Sequence, residues 1–168
     1  MTTLFPELTD AFRLERLRHP EGAVRMVLDT DTYNEIDDQF AVVFALGSPE
    51  RLKIEAFCAA PFHNERSDGP EDGMVKSLEE LRRIVKITGA EEKIPILEGS
   101  RSWMEGPDRP VESEAARRIV ELALASPDDD PLYVVAIGAV TNVASAILME
   151  PRIIGKIVVV WLGGHAPW

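Results

Sequence analysis

Short β-branched runs alternate with helical patterns along most of the chain, and this alternation constrains its fold more than any other feature. The runs VRMVLD (residues 24–29), LKIEAFCAA (52–60) and PLYVVAIG (131–138) are strongly apolar, as expected of strands buried on both faces. Between them lie segments whose apolar residues are three and four positions apart, which is the spacing of amphipathic helices. Strands that alternate with helices form mainly parallel sheets covered by helices on both faces. The predicted fold class is therefore α/β.

The remaining predicted elements continue this alternation without a repeat or a low-complexity segment. Residues 61–73 are rich in Pro, Gly, Asp and Asn and are predicted to form a loop. Further strands are predicted at 93–99 and 156–164, and helices at 37–46, 74–88, 112–126 and 142–151. We predict one α/β domain over residues 1–168, with residues 1–23 as an N-terminal extension.

Composition excludes several classes of protein. A chain of 168 residues that is 45% hydrophobic can bury one good core. Its net charge of -11 argues against a nucleic-acid-binding protein, because affinity for phosphates depends on clustered Lys and Arg. The only cysteine, Cys58, cannot form an internal disulfide, which favours the reducing cytoplasm. No segment approaches the roughly 18 apolar residues of a membrane span. The expected partners are therefore small molecules or cations, with no nucleic acid and no membrane.

An acidic cluster follows the first predicted strand and raises the question of what stabilises it. Five carboxylates lie within ten residues, at Asp29, Asp31, Glu35, Asp37 and Asp38. Crowded carboxylates raise each other's pKa unless a positive charge or water screens them. In one interpretation, Asp37 caps a helix, Asp38 is an acid in the first turn of that helix, and the other carboxylates lie in a solvated loop. The other is a site for a hard cation such as Ca²⁺, which binds carboxylate and carbonyl oxygens.

Three predicted strands bring this cluster close to other polar segments. In open α/β sheets, ligands bind where the carboxyl ends of the strands meet one edge. This rule places the cluster near AAPFHN (residues 59–64) and GAVTN (138–142). A pocket at this edge is therefore predicted.

Four features occur in order along the chain: VLDTD (27–31), the acidic pair that opens an apolar helix, AIGAVTNVASAI (136–147) and VVVWLGGH (158–165). Together they resemble the nucleoside hydrolase family, the inosine-uridine-preferring type of N-ribohydrolase. The family signature has Pro-Gly and one further residue between the second Asp and the acidic pair. Here the interval is TYNEI (32–36), which is two residues longer and lacks Pro-Gly. Family chains are nearly twice this length, so the resemblance is to an N-terminal half.

The resemblance implies a Rossmann-like core and a Ca²⁺ ion that binds the ribose diol and the attacking water. It also implies a role for individual residues: general base and metal ligand for Asp31, bidentate metal ligand for Asp38, metal ligation through its backbone carbonyl for Thr141, contacts to ribose for Asp37 and Asn64, and support of the loop for Asp29. The implied reaction hydrolyses the N-glycosidic bond of a ribonucleoside to free base and ribose. A homo-oligomer is also expected, because the last predicted strand leaves an edge open to pairing.

Two other functions compete with this hypothesis. One is a noncatalytic metal- or ribose-binding module derived from the same fold. The other is a phosphatase of the haloacid dehalogenase type, whose DxD motif also follows a strand but has Thr or Val where this chain has Tyr33. His63 and His165 are interpreted as loop or exposed residues rather than as acids.

Overall fold

The computed structural model describes residues 5–90 and 94–164. It contains parallel strands and helices whose bounds are β1 Val24–Thr30, β2 Leu52–Ala59, β3 Ile96–Leu97, β4 Leu132–Ala136, β5 Ile157–Trp161, α1 Asp10–Arg16, α2 Ile36–Leu46, α3 Pro70–Ile87, α4 Glu114–Leu124 and α5 Thr141–Met149. A short 3-10 helix, Pro151–Gly155, precedes β5.

The five strands form one sheet in the order β3-β2-β1-β4-β5. Every pairing in it is parallel, with Leu28 of β1 aligned with Phe57 of β2 and Val135 of β4. Since β1 lies in the middle, the acidic segment that follows it emerges at the centre of the carboxyl edge. This arrangement confirms the predicted α/β fold class.

Each face of the sheet carries its own hydrophobic core. On one face, Leu28 and Phe57 pack with Val42 of α2 and Leu81 of α3. On the other, Val27, Val134 and Cys58 are buried with residues of α4 and α5. Neighbouring residues of a strand point to opposite faces, so consecutive apolar residues such as Val27 and Leu28 supply both cores. Helices on both faces of the sheet are thereby confirmed.

The main differences from the predicted elements have local causes. α3 begins at Pro70 rather than at residue 74, because proline suits the first turn of a helix and Glu71 follows it with a favourable charge. The predicted strand 93–99 is reduced to Ile96–Leu97, and Pro95 directly before it has no N–H to donate to a neighbouring strand. α1 lies within the predicted N-terminal extension.

Across the described ranges, each helix is too short or too polar to span a lipid bilayer.

Candidate functional site

A cavity of about 780 Å³ lies at the carboxyl edge of the sheet. The segments after β1, β2 and β4, the start of α2 and the end of β5 contribute to its lining, which includes Asp31, Asp37, Asp38, Asn64, Gly138 and Trp161. Four predicted site residues therefore line one cavity, where the strand-end rule for α/β sheets places ligands.

Asp31 and Asp38 are the two buried acids of this cavity. Their exposed fractions are 6% and 5%. The Thr30 hydroxyl donates to Asp38 Oδ1, and the Asn34 amide donates to Asp31 Oδ2 over 3.0 Å. A Cβ atom at Gly138 would lie only 2.7 Å from Asp31 Oδ1. The absence of a side chain at Gly138 is thus what allows the segment after β4 to approach this carboxylate.

Burial dominates the electrostatics of both acids. It raises the pKa of Asp38 to about 7, while the Thr30 hydrogen bond acts in the opposite direction and repulsion from Asp31 adds to the rise. Burial also raises the pKa of Asp31, against the hydrogen bond from Asn34, and neighbouring carboxylates raise it further. A buried carboxylate is stabilised in its charged form by a nearby cation. The pair is therefore suited to hold a proton or a cation.

Asp29 lies deeper than the cavity and is fully buried. Its Oδ1 atom accepts a hydrogen bond of 2.7 Å from Asn142 Nδ2, whereas Oδ2 has no hydrogen-bond partner among the described residues. Burial raises the pKa of Asp29 to about 7, with repulsion from Asp31 as a smaller cause. Asp29 is therefore a group of the protein interior rather than of the cavity lining.

Asn142 is the central residue of this buried network, and the sequence analysis missed it. Besides Asp29, its amide nitrogen donates to the Ala59 carbonyl over 3.1 Å. Its oxygen accepts from the Ser100 N–H, the Ser100 hydroxyl and the Ser113 hydroxyl. One side chain thus joins the ends of β1 and β2 to the segments before α4. The sequence signal for Asn142 was its position as a polar residue next to Thr141, at the start of a mainly apolar helix.

The other predicted residues take different places around the cavity. Asp37 is exposed in the first turn of α2, and Asn64 donates to Asn34 Oδ1 over 2.6 Å. Thr141 is the first residue of α5 and is 8% exposed, and its neighbour Val140 lines the cavity. His63 also lines the cavity. His165 lies outside the described residues.

Cys58 lies inside the sheet, away from any role at the surface. It is fully buried, and burial raises the pKa of its thiol well above the usual range. A thiol that remains protonated is a poor nucleophile. Cys58 therefore belongs to the core.

The side chains of the cavity supply some of the donors that a metal ion requires. Over residues 5–90 and 94–164, no group of three or more His, Cys, Asp or Glu side chains is arranged to hold an ion. Asp31 and Asp38 are the buried carboxylates that line the cavity, and the ion pairs found within these ranges involve neither of them. Ca²⁺ prefers carboxylates combined with backbone carbonyls and water. The residues therefore fit part of a site for a hard cation.

Solved structures of three hydrolases resemble this fold. A purine-preferring ribonucleoside hydrolase from Gardnerella vaginalis has a TM-score of 0.61 and 21% identity, over 84% of this chain and 49% of that chain. An inosine-guanosine nucleoside hydrolase gives 0.59 and 19%, over 86% of this chain and 48% of that one. An inosine-uridine preferring nucleoside hydrolase from Bacillus anthracis gives 0.57 and 18%, over 84% and 51%.

These structural similarities establish the fold, and the chain spans about half the length of the structures it matches. No curated protein matches it. A family model described as inosine-uridine preferring nucleoside hydrolase matches residues 26–167, which is most of the chain. The matched range contains the sheet from Met26 onward and the residues that line the acidic cavity. The chain therefore belongs to the inosine-uridine preferring nucleoside hydrolase family.

Proposed function

We propose that this chain carries the metal-binding and proton-accepting part of a calcium-dependent N-ribohydrolase, which hydrolyses a ribonucleoside to free base and ribose. The observation that carries the proposal is the burial of Asp31 and Asp38 together at the carboxyl edge of the sheet, within a family match that spans both. Two carboxylates whose pKa values are raised by burial gain stability when a cation neutralises them.

Asp31, Asp38 and the Thr141 carbonyl are the proposed metal ligands. Bound Ca²⁺ would supply a positive charge that lowers the pKa of a coordinated water and binds the sugar hydroxyls. Asp31 accepts a proton in the reaction, and the hydrogen bond from Asn34 to its Oδ2 atom leaves Oδ1 for that role. A base within hydrogen-bonding reach of the attacking water is what such a reaction requires.

The sugar is held by groups on the rim of the same cavity. Asp37 lies in the first turn of α2 and Asn64 lies after β2, and both line the cavity. Carboxylate and amide groups bind vicinal hydroxyls through directional hydrogen bonds. Fixing the ribose in this way orients the anomeric carbon for attack and contributes to the rate through proximity. Carboxylates near the ring also stabilise an oxocarbenium-like transition state.

The exposure of the outer strand β5 supports the proposal that the protein forms a homo-oligomer. β5 is the outermost strand on its side, and Val160, Trp161 and Leu162 are 49%, 49% and 70% exposed. Unpaired strand edges and exposed apolar side chains favour association with another chain. The buried thiol of Cys58 is consistent with the cytoplasmic location that we propose. We also propose that residues 1–168 form one domain.

Calorimetry with Ca²⁺ on the wild type and on Asp38→Ala tests the metal site. The wild type should bind weakly, on the order of millimolar, because sites with few charged ligands bind Ca²⁺ less tightly. Asp38→Ala should abolish the heat of Ca²⁺ binding. Asp37→Ala is the matched control, since it removes one exposed charge from the same turn and should change the Kd by less than about threefold. Equal heats for the wild type and Asp38→Ala would eliminate the proposed ligand set.

A further inference from the structure

The segment 32–36, which is two residues longer than the family signature, is attached to the region after β2. The Tyr33 ring stacks against Phe62 with centroids 6.5 Å apart and planes at 21°. Lys76 Nζ lies 5.9 Å from the centroid of the Tyr33 ring. The Arg66 guanidinium also donates a hydrogen bond to the Asn34 carbonyl. These contacts hold the segment across one side of the cavity.

The side chain of Asn34, in this segment, donates one hydrogen bond and accepts another. Its Nδ2 atom donates to Asp31 Oδ2 over 3.0 Å, and its Oδ1 atom accepts from Asn64 Nδ2 over 2.6 Å. Asn64 is itself oriented, because its Oδ1 atom accepts from the Arg66 N–H over 2.9 Å. A carboxylate requires a donor and an amide nitrogen requires an acceptor. Among side chains of this size, an amide supplies both.

We propose that Asn34 is a positioning residue that fixes the Asp31 carboxylate and the Asn64 amide relative to each other. The inference rests on the proposed function, in which Asp31 binds metal and Asn64 binds ribose. With Oδ2 of Asp31 held by Asn34, Oδ1 is the oxygen that lies beside Gly138. Asn34 thereby couples the metal-binding side of the cavity to its sugar-binding side.

The expected effect on metal affinity follows from this geometry. A group that hydrogen-bonds a metal ligand fixes the orientation of that ligand, and its loss commonly weakens metal binding tenfold or more. Among the described residues, the hydrogen bonds that link Asn64 to Asp31 run through Asn34. Loss of Asn64 should therefore affect Ca²⁺ binding when Asn34 is present and have no effect when it is absent.

Ca²⁺ calorimetry on the 168-residue chain tests the inference, with circular dichroism to verify folding. Asn34→Ala should raise the Kd about tenfold, and Asn34→Gln, which keeps the donor and the acceptor of the amide, should recover part of the affinity. Tyr33→Leu is the matched control, because it loosens the same segment and leaves the amide contacts in place. It should change the Kd by less than about threefold.

A double-mutant cycle in Ca²⁺ affinity separates positioning from general loosening. Asn64→Ala should weaken binding in the wild-type background and leave the Kd of Asn34→Ala unchanged. Equal Kd values for Asn34→Ala and wild type, or the same effect of Asn64→Ala in both backgrounds, would overturn the positioning role while the metal site stands. A wild-type chain that binds no Ca²⁺ would overturn both proposals.

Discussion

Replacing Asn142 by alanine should cost more stability than any single hydrogen bond explains. The side chain is fully buried and binds the Asp29 carboxylate, the Ala59 carbonyl, the Ser100 N–H and two serine hydroxyls. The hydroxyls can rotate towards other partners, whereas the Ser100 N–H, the Ala59 carbonyl and the Asp29 carboxylate cannot. Three buried groups left without partners cost roughly 3–9 kcal/mol in total. That is a large part of the 5–15 kcal/mol by which folded domains are typically stable.

Urea denaturation followed by circular dichroism, with linear extrapolation to water, measures this cost. Ser145→Ala is the matched control, because Ser145 is fully buried in the same helix and its hydroxyl accepts one hydrogen bond, of 3.0 Å from the Val111 N–H. It should cost about 1 kcal/mol. If Asn142→Ala loses no more than Ser145→Ala, the network does not stabilise the site as argued.

Three further outcomes are expected. In a form of the protein that releases base from nucleosides, Asp31→Asn should lower kcat by roughly 10²–10⁴-fold while the circular dichroism spectrum is unchanged, because it removes the proton acceptor; near-normal turnover would refute this role. With Ca²⁺ removed by a chelator, the free energy of unfolding should fall as pH rises from about 4 to about 7. The folded state binds more protons than the unfolded state across that window, since burial raises the pKa of Asp29 and Asp38 from 3.8 to about 7. Asp29→Asn should flatten this fall, and an unchanged slope would contradict the assignment. The 168-residue chain alone should associate through β5 and release little base from inosine or uridine, as light scattering and an assay on the same fraction would show; an active monomer would contradict both expectations.

The fold could be predicted because its signals are local. β-branched runs such as the one containing Val27 specify buried strands, and apolar spacing such as Leu78, Leu81 and Ile84 specifies a helix face. The bounds of the helices and strands were harder to predict, because the start of α3 depends on the conformation that Pro70 adopts in the first turn. Neither helix propensity nor the spacing of apolar residues determines the residue at which a helix begins.

The candidate site was predictable where chemistry follows chain order. Asp31, Asp37 and Asp38 lie together because they leave one strand and enter one helix. Asn34 and Asn142 were missed, because their importance comes from partners brought together by tertiary structure. An amide has no strong pattern of its own in a sequence, and its role becomes visible when its donors and acceptors are located.

The hydrogen bond from Asn142 to Asp29 has a consequence for biosynthesis, because it joins residues 113 positions apart. At ribosomal speeds of 5–20 residues per second, roughly 6–23 s separate the synthesis of these two residues. Until Asn142 has been synthesised, Asp29 cannot accept the hydrogen bond that it receives in the folded protein. Contacts between distant parts of a chain also form slowly, because loop closure must precede them. We therefore expect the buried acids to take up protons or a cation at a late step of folding, when β4 and α5 close over the first strand.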